Sequence, residues 1–362
     1  MLSLPLEVQL RILKYLNFNQ LFSVKQTNFC NLINKYEGEL ARMEFERISI
    51  DERDDDSDYA FHDSAYASHH QLFTYKSIEP QSGVFEFTLN AQLRKRWLNA
   101  ITRLIPLFLK NSGNVTTTVF ITVCSGGPRI ILNASDLVNR DLVYRLKLPT
   151  YPKNIQEMII ARCWLERLFK CAFGCLYFFR SVFNPEMINI LFDNDTTIPR
   201  QFNIKVGTLL AYNEIFEKDL NFVSNHLSIS ESLIFDFRGV DFTEKYTNIL
   251  FNMLINEGNK IPKIKFTSYK LTRLYDLITE YIATSEDCSK IVSDILFQFD
   301  NSPPFKLSER AEKVEIKQVD DVKYTKYQIS NINDPIVKFD FHNEEDSDGW
   351  TFCNKVEIMK NN

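Results

Sequence analysis

Cys163, Cys171 and Cys175 are the first residues to weigh for chemistry. Two thiols four positions apart share one face of a helix, where they can hold a soft metal or form a redox pair. Here Ala172, Phe173, Leu176 and Tyr177 surround them with apolar bulk, which predicts buried and inert thiols. A second grouping is His62, His69 and His70 behind the acidic run Asp51, Glu52, Asp54, Asp55, Asp56 and Asp58. The side chains are of ligating type but keep no fixed ligand spacing, and the neighbours His69 and His70 point apart on any regular element. Clustered like charge resists packing, so residues 51–70 read as a solvated linker. Ser125, Gly126, Gly127 and Pro128 have the small residues of a phosphate loop. They lack its lysine and the helix that should follow, and read as a hairpin turn. His226 and His342 stand singly, and Glu344, Glu345 and Asp346 form a turn-like charge run. No nucleophile–base pair emerges. The expectation is a non-enzyme with no catalytic residue, no metal and no cofactor.

The elements that would carry these residues alternate along the chain. Residues 84–89 alternate as a strand, 91–110 read as a helix that kinks or ends near Pro106, and 116–123 are rich in β-formers. Strand-like runs then occur at 176–179, 202–206, 233–237, 264–266 and 295–299, about thirty residues apart. Helical stretches lie between them at 185–192, 215–227, 243–257 and 271–284. In the third of these, Tyr246, Ile249, Leu250, Met253 and Leu254 share a face; in the fourth, Leu274, Leu277, Ile278, Tyr281 and Ile282 do so. One strand and one helix per unit of this length reads as an irregular, leucine-rich-repeat-like solenoid, although the strict leucine signature is missing. The same alternation also suits a non-repeating α/β sheet. From Val314 onward, four alternating runs separated by turns read as a small antiparallel meander capping the C-terminal end.

The N-terminus has its own character. Pro5 suits the first turn of a helix, with Ser3 as an upstream cap. Between Leu6 and Leu16 the apolar residues Leu6, Val8, Leu10, Ile12, Leu13, Tyr15 and Leu16 exceed what one buried stripe requires. Surplus apolar surface on a small helical unit fits a partner-binding element. Residues 20–26 and 29–45 read as second and third helices. The spacing of Leu4, Pro5, Glu7, Ile12, Leu13, Leu16, Leu21 and Val24 resembles the F-box, over roughly residues 2–41. A departure lies at residues 24–29, where Phe29 occupies the place of the family's tryptophan. The resemblance implies that these eight residues contact the Skp adaptor of an SCF-type cullin-RING ubiquitin ligase, in the cytoplasm or nucleus. It also implies that the rest of the chain holds a client protein. For that client, the polar strand residues Lys205, Asp236, Arg238, Lys265 and Gln298 are the candidates, standing in a row on an exposed sheet face.

Composition narrows the alternatives. A formal net charge of −5 gives no broad positive field for nucleic acid. The most apolar stretch, 171–183, is short and bracketed by charge, so no membrane span is expected. Seven cysteines, without a signal peptide, point to reduced thiols. The 30 phenylalanines and 15 tyrosines suit strands and large core side chains. The expected fold class is mixed α/β: a three-helix F-box-like module at 1–45, an acidic linker at 46–82, a strand–helix repeat body at 83–312 and a small antiparallel sheet at 313–362. The competing functional reading is a repeat-type scaffold with no ligase role, and a weaker one is a metal- or thiol-dependent enzyme.

Overall fold

The computed structural model describes residues 5–14, 29, 32, 42–53, 74–84, 87–110, 118–124, 142–179, 181–193, 198–210, 216–237, 244–268, 271–300, 307–347 and 352–361. The chain divides into two compact units, Met1–Ile204 with Asn221–Leu227, and Lys205–Leu220 with Ser228–Asn362.

The first unit opens with α1 (Leu6–Lys14). The Pro5 carbonyl accepts from the N–H groups of Val8 and Gln9, both at 3.1 Å. Glu7 in the first turn and Arg11 and Lys14 in the last complement the helix dipole. Strands β1 (Met43–Arg53), β2 (Thr74–Ile78), β4 (Thr118–Cys124), β5 (Leu142–Lys147) and β6 (Cys171–Phe179) pair in the order β6-β1-β4-β5-β2; β3 (Phe108–Lys110) and β7 (Ser181–Phe183) make a separate antiparallel ribbon. The five-stranded ladder is mixed, with β1 parallel to β6 and antiparallel to β4.

Three helices of this unit, α2 (Ala91–Thr102), α3 (Ile155–Phe169) and α4 (Pro185–Phe192), each start from an asparagine cap: Asn90, Asn154 and Asn184. Each of these side chains accepts a first-turn N–H, satisfying a group that the helix itself leaves unpaired. Arg162 on α3 ties the helices together. Its guanidinium is buried and donates to the Leu191 carbonyl at 3.0 Å. It sits over the rings of Phe87 and Phe192, at 4.5 and 4.6 Å from their centroids. Phe87 in turn stacks on Trp97 of α2, whose indole N–H donates to the Ile190 carbonyl on α4. Gly83 shows how closely this region is packed, because a Cβ there would lie 2.2 Å from the Trp164 ring.

The second unit carries β8 (Phe202–Leu210), α5 (Phe216–His226), β9 (Leu227–Asp236), α6 (Glu244–Asn256), β10 (Lys263–Ser268), α7 (Thr272–Thr284), β11 (Asp294–Asp300), β12 (Glu312–Val319), β13 (Val322–Ser330), β14 (Lys338–Ser347) and β15 (Phe352–Lys360). The ends of β8, β9 and α5 cross the unit boundary. The strand order is β8-β9-β10-β11-β15-β14-β13-β12. β10 runs parallel to β9 and β11, and from β11 to the β12 edge every pairing is antiparallel. Phe235, Phe266 and Phe297 stand directly opposite one another in this register and stack at 5.6 and 5.4 Å. With Leu233, Ile264 and Ile295 they form a buried face. From α7, Leu274, Ile278 and Ile282 are wholly buried, and the Tyr275 hydroxyl meets that of Tyr327 on β13 at 3.0 Å.

This architecture overturns the expected fold class. At the N-terminus one short helix is described in place of a three-helix module, and Met43 and Phe45, read as parts of a third helix, lie in β1. The overlooked signal is the alternation around Ile48, Ser49 and Ile50, where branching at Cβ favours extended backbone. β1 and β2 also occupy ground assigned to a linker. The body is not a solenoid: thirteen strands among the described residues build the main ladders, five in the first unit and eight in the second, and six of their pairings are antiparallel. Nor is the C-terminal sheet small or separate, because β15 hydrogen-bonds along the whole of β11. The expected strand at 84–89 is absent from its described residues; Phe87 packs in the aromatic chain instead. The helix expected at 91–110 ends at Thr102, ahead of Pro106.

Two predictions test the packing. Replacing Arg162 with Met leaves the Leu191 carbonyl without its donor and should cost about 2–4 kcal/mol, read as a lower urea midpoint; an unchanged midpoint would contradict the central role given to this side chain. Asp219 on α5 is buried, and that desolvation pushes its carboxyl up to about 8. The folded state therefore holds a proton that the unfolded chain releases, and stability should fall as pH rises from the ordinary carboxylate range through about 8. Asp219→Asn should be more stable than the parent at pH 8.5 and close to it at pH 5, as followed by thermal melts.

Candidate functional site

A cavity of about 780 Å³ opens in the first unit, among three helices and the segment leading to β8. From α2 it is lined by Arg96, Asn99, Ala100 and Arg103, whose spacing of three, four and seven places them on a single helical stripe. From α4 come Pro185, Glu186, Asn189 and Ile190, and from the later turns of α5 come Asn221, Asn225 and His226. Arg200 completes the wall. Trp97 and Ala100 anchor the stripe on its inner side, both buried. The indole bond to Ile190 sets how far α2 stands from α4.

Polar residues outnumber apolar ones in the lining. Three guanidinium groups share it with a single carboxylate, Glu186, and four carboxamides. Arg96 pairs with Asp193, the residue that ends α4 with φ 46°, a left-handed conformation unusual for a side chain of this kind. Arg200 donates to the Asp193 carbonyl and, at 3.3 Å, to Oδ1 of Asn189. Both arginines thereby hold the strained end of α4 in place. Arg103 is held differently. Its nearest carboxylate oxygen, on Glu186, lies 3.6 Å away, and both side chains are more than half exposed. Such a pair in water contributes little.

His226 borders the cavity but turns its ring inward. Nδ1 lies 2.9 Å from the Arg200 carbonyl, an acceptor only, so Nδ1 must carry the proton and donate. Nε2 is then a lone pair, buried and without a hydrogen-bond partner, and Phe222 packs against the ring. Burial lowers the imidazole's affinity for a proton below the ordinary value, while the Arg200 carbonyl opposes that shift.

The residues singled out from sequence lie elsewhere. On α1, Pro5 and Glu7 are exposed, Ile12 is half-buried and Leu13 is wholly enclosed. Leu4, Leu16, Leu21 and Val24 lie outside the described residues, as do Arg238, His62, His69, His70 and the turn at 125–128. Within the second unit, Asp236, Thr267, Gln298 and Lys355 stand in one cross-strand row, and Lys265 stands in the next row, opposite Ile234 and Leu296. Asp236, Lys265 and Gln298 therefore share a sheet face, the one turned away from the phenylalanine stack. Lys205 is exposed on β8. That face neutralises much of its own charge: Lys263 bridges Asp294 and Glu357 at 2.9 and 2.7 Å, and Lys355 meets Glu344 at 3.0 Å.

The thiols are also distributed otherwise than expected, with Cys163 on α3 and Cys171 and Cys175 on β6. Burial raises the Cys171 thiol to about 11 against the opposing pull of Arg42, which makes it a poor nucleophile at neutral pH. Among the described residues, no group of three or more potential ligands is placed to hold a metal ion. No described helix is long and apolar enough to cross a membrane. Reading the sequence missed the cavity because Arg96, Asn99 and Arg103 look like an ordinary solvent-facing stripe. Only the arrival of α4 and α5 beside them makes a site.

The histidine yields a prediction. Because its folded form prefers to be neutral, stability is intact above the ordinary imidazole value and lost as pH falls below it. His226→Gln should flatten that loss between about pH 6.5 and 5, measured by urea unfolding at each pH. An identical slope in the variant would assign the acid sensitivity to other groups.

A family model described as a domain of unknown function (DUF8381) matches residues 78–238. No curated protein and no solved structure matches the chain. Every residue that lines the cavity falls inside the matched stretch, and α1 falls outside it.

Proposed function

We propose that this chain is a non-enzymatic recruiting subunit, which docks on the Skp adaptor of an SCF-type ubiquitin ligase through its N-terminal segment and holds a client protein with its body. The observation that supports the reading is the exposed start of α1. The helix begins at Leu6, directly after the proline of the sequence that resembles the F-box, and it leaves Pro5 open and Val8 41% exposed. Apolar surface left uncovered on a short helix is a feature of a partner-binding element. The body then acts by proximity, raising the effective concentration of a bound client beside the conjugating enzyme that the ligase carries.

Burial decides which substitutions test this cleanly. Leu13 is wholly enclosed, so an aspartate there would disturb folding as well as any contact. Pro5→Ala combined with Val8→Asp alters exposed positions only. Co-expression of the full chain with a Skp adaptor should give a single stoichiometric peak in size-exclusion chromatography, and the double variant should separate into two while keeping its circular-dichroism spectrum. Two peaks from the unaltered, folded chain would sink the ligase reading and leave an interaction protein without a ligase role.

A further inference from the structure

We propose that the cavity of the first unit is a receptor for a short acidic peptide segment, with Arg103 as the residue that engages its carboxylate. The charge of the lining sets the sign of the ligand. Arg96, Arg103 and Arg200 line it beside one carboxylate, Glu186, and Arg96 is already matched by Asp193. Arg96 and Arg200 are fixed on the end of α4, so they supply potential rather than a movable donor. Arg103 is the least committed member. It is 58% exposed and only loosely opposed by Glu186, and its fork of N–H groups matches a carboxylate with two parallel bonds.

The rest of the lining identifies the ligand as a peptide. Asn99, Asn221 and Asn225 are exposed there; the Asn225 amide donates to the Asn221 carbonyl and to its Oδ1, which leaves the Asn99 carboxamide, the Asn221 amide nitrogen and the Asn225 oxygen to meet the donor and acceptor of a peptide unit. A volume of about 780 Å³ is far larger than a lone anion needs and suits a few residues of extended chain. The lining contains no aromatic ring on which a nucleobase could stack other than the inward-turned His226, and its apolar members are only Ala100, Pro185 and Ile190. That argues against nucleic acid. That the segment belongs to a ligase client rests on the function proposed above; that the cavity takes an acidic peptide does not.

The test uses the full chain without any adaptor, so the two readings fail separately. Fluorescence anisotropy would follow a fluorescein-labelled peptide with three consecutive glutamates between glycines, and its glutamine counterpart. Saturable binding is expected for the glutamate peptide, about tenfold weaker for the glutamine peptide. Arg103→Glu should lose at least about tenfold in affinity with its circular dichroism unchanged, while Arg103→Lys keeps part of it. Lys317→Glu, the same charge change at an exposed position on β12, should bind as the parent does. Equal binding of the two peptides, an effect of Lys317→Glu as large as that of Arg103→Glu, or displacement by an oligothymidylate at lower concentration than by the glutamate peptide would each overturn the proposal.

Discussion

A single desolvated cation organises the first unit. A guanidinium carries its charge at any ordinary pH, so burying Arg162 is tolerable only where other groups replace the water it loses. The Leu191 carbonyl and the faces of Phe87 and Phe192 do so. Because those groups come from different segments, satisfying one charge fixes several elements at once. The circuit closes through Trp97, which touches Phe87 on one side and bonds to Ile190 on the other. α2, α3 and α4 are therefore positioned mutually by directional contacts as well as by greasy packing, and the cavity between them inherits that definition.

The second unit relies on register. Directly opposed phenylalanines on β9, β10 and β11 build one side of the sheet, and a slip of one residue would turn all of them to the other face. The opposite face carries the complementary code, in which Lys263 meets Asp294 and Glu357 across three strands. Polar residues on that side are thus partly committed to the sheet itself, which lowers the charge they can offer an outside partner. In the lining of the cavity, guanidinium groups outnumber carboxylates.

How much of this was written legibly in the chain depends on how local each feature is. The helix Thr272–Thr284 can be read from Leu274, Ile278 and Ile282, since helical periodicity is a property of neighbours in sequence. The run at 295–299 likewise announces a strand. What such patterns omit is the partner. Val356 and Ile358 alternate in the same way whether β15 belongs to a free-standing cap or lies against β11, and only the tertiary pairing distinguishes the two. β1 was lost for a related reason: a few charged residues beside it resemble a linker when its partners lie far along the chain. The cavity is the extreme case, a meeting of residues from α2, α4, α5 and the approach to β8, none of which is unusual alone.

The placement of β1 also has a consequence for biosynthesis. This strand pairs with β4 on one side and β6 on the other, so its second neighbour begins at Cys171, long after β1 has left the ribosome. At ordinary elongation speeds the interval is roughly 6–24 s. Through that time Ile48, Ser49 and Ile50, all fully buried in the finished protein, belong to a nascent segment whose ladder cannot yet be completed. A strand with one open side is a template for pairing with other chains. The slowest hazard in making this molecule is thus set by the order in which its parts are translated, and a chain released before Cys171 carries that hazard permanently.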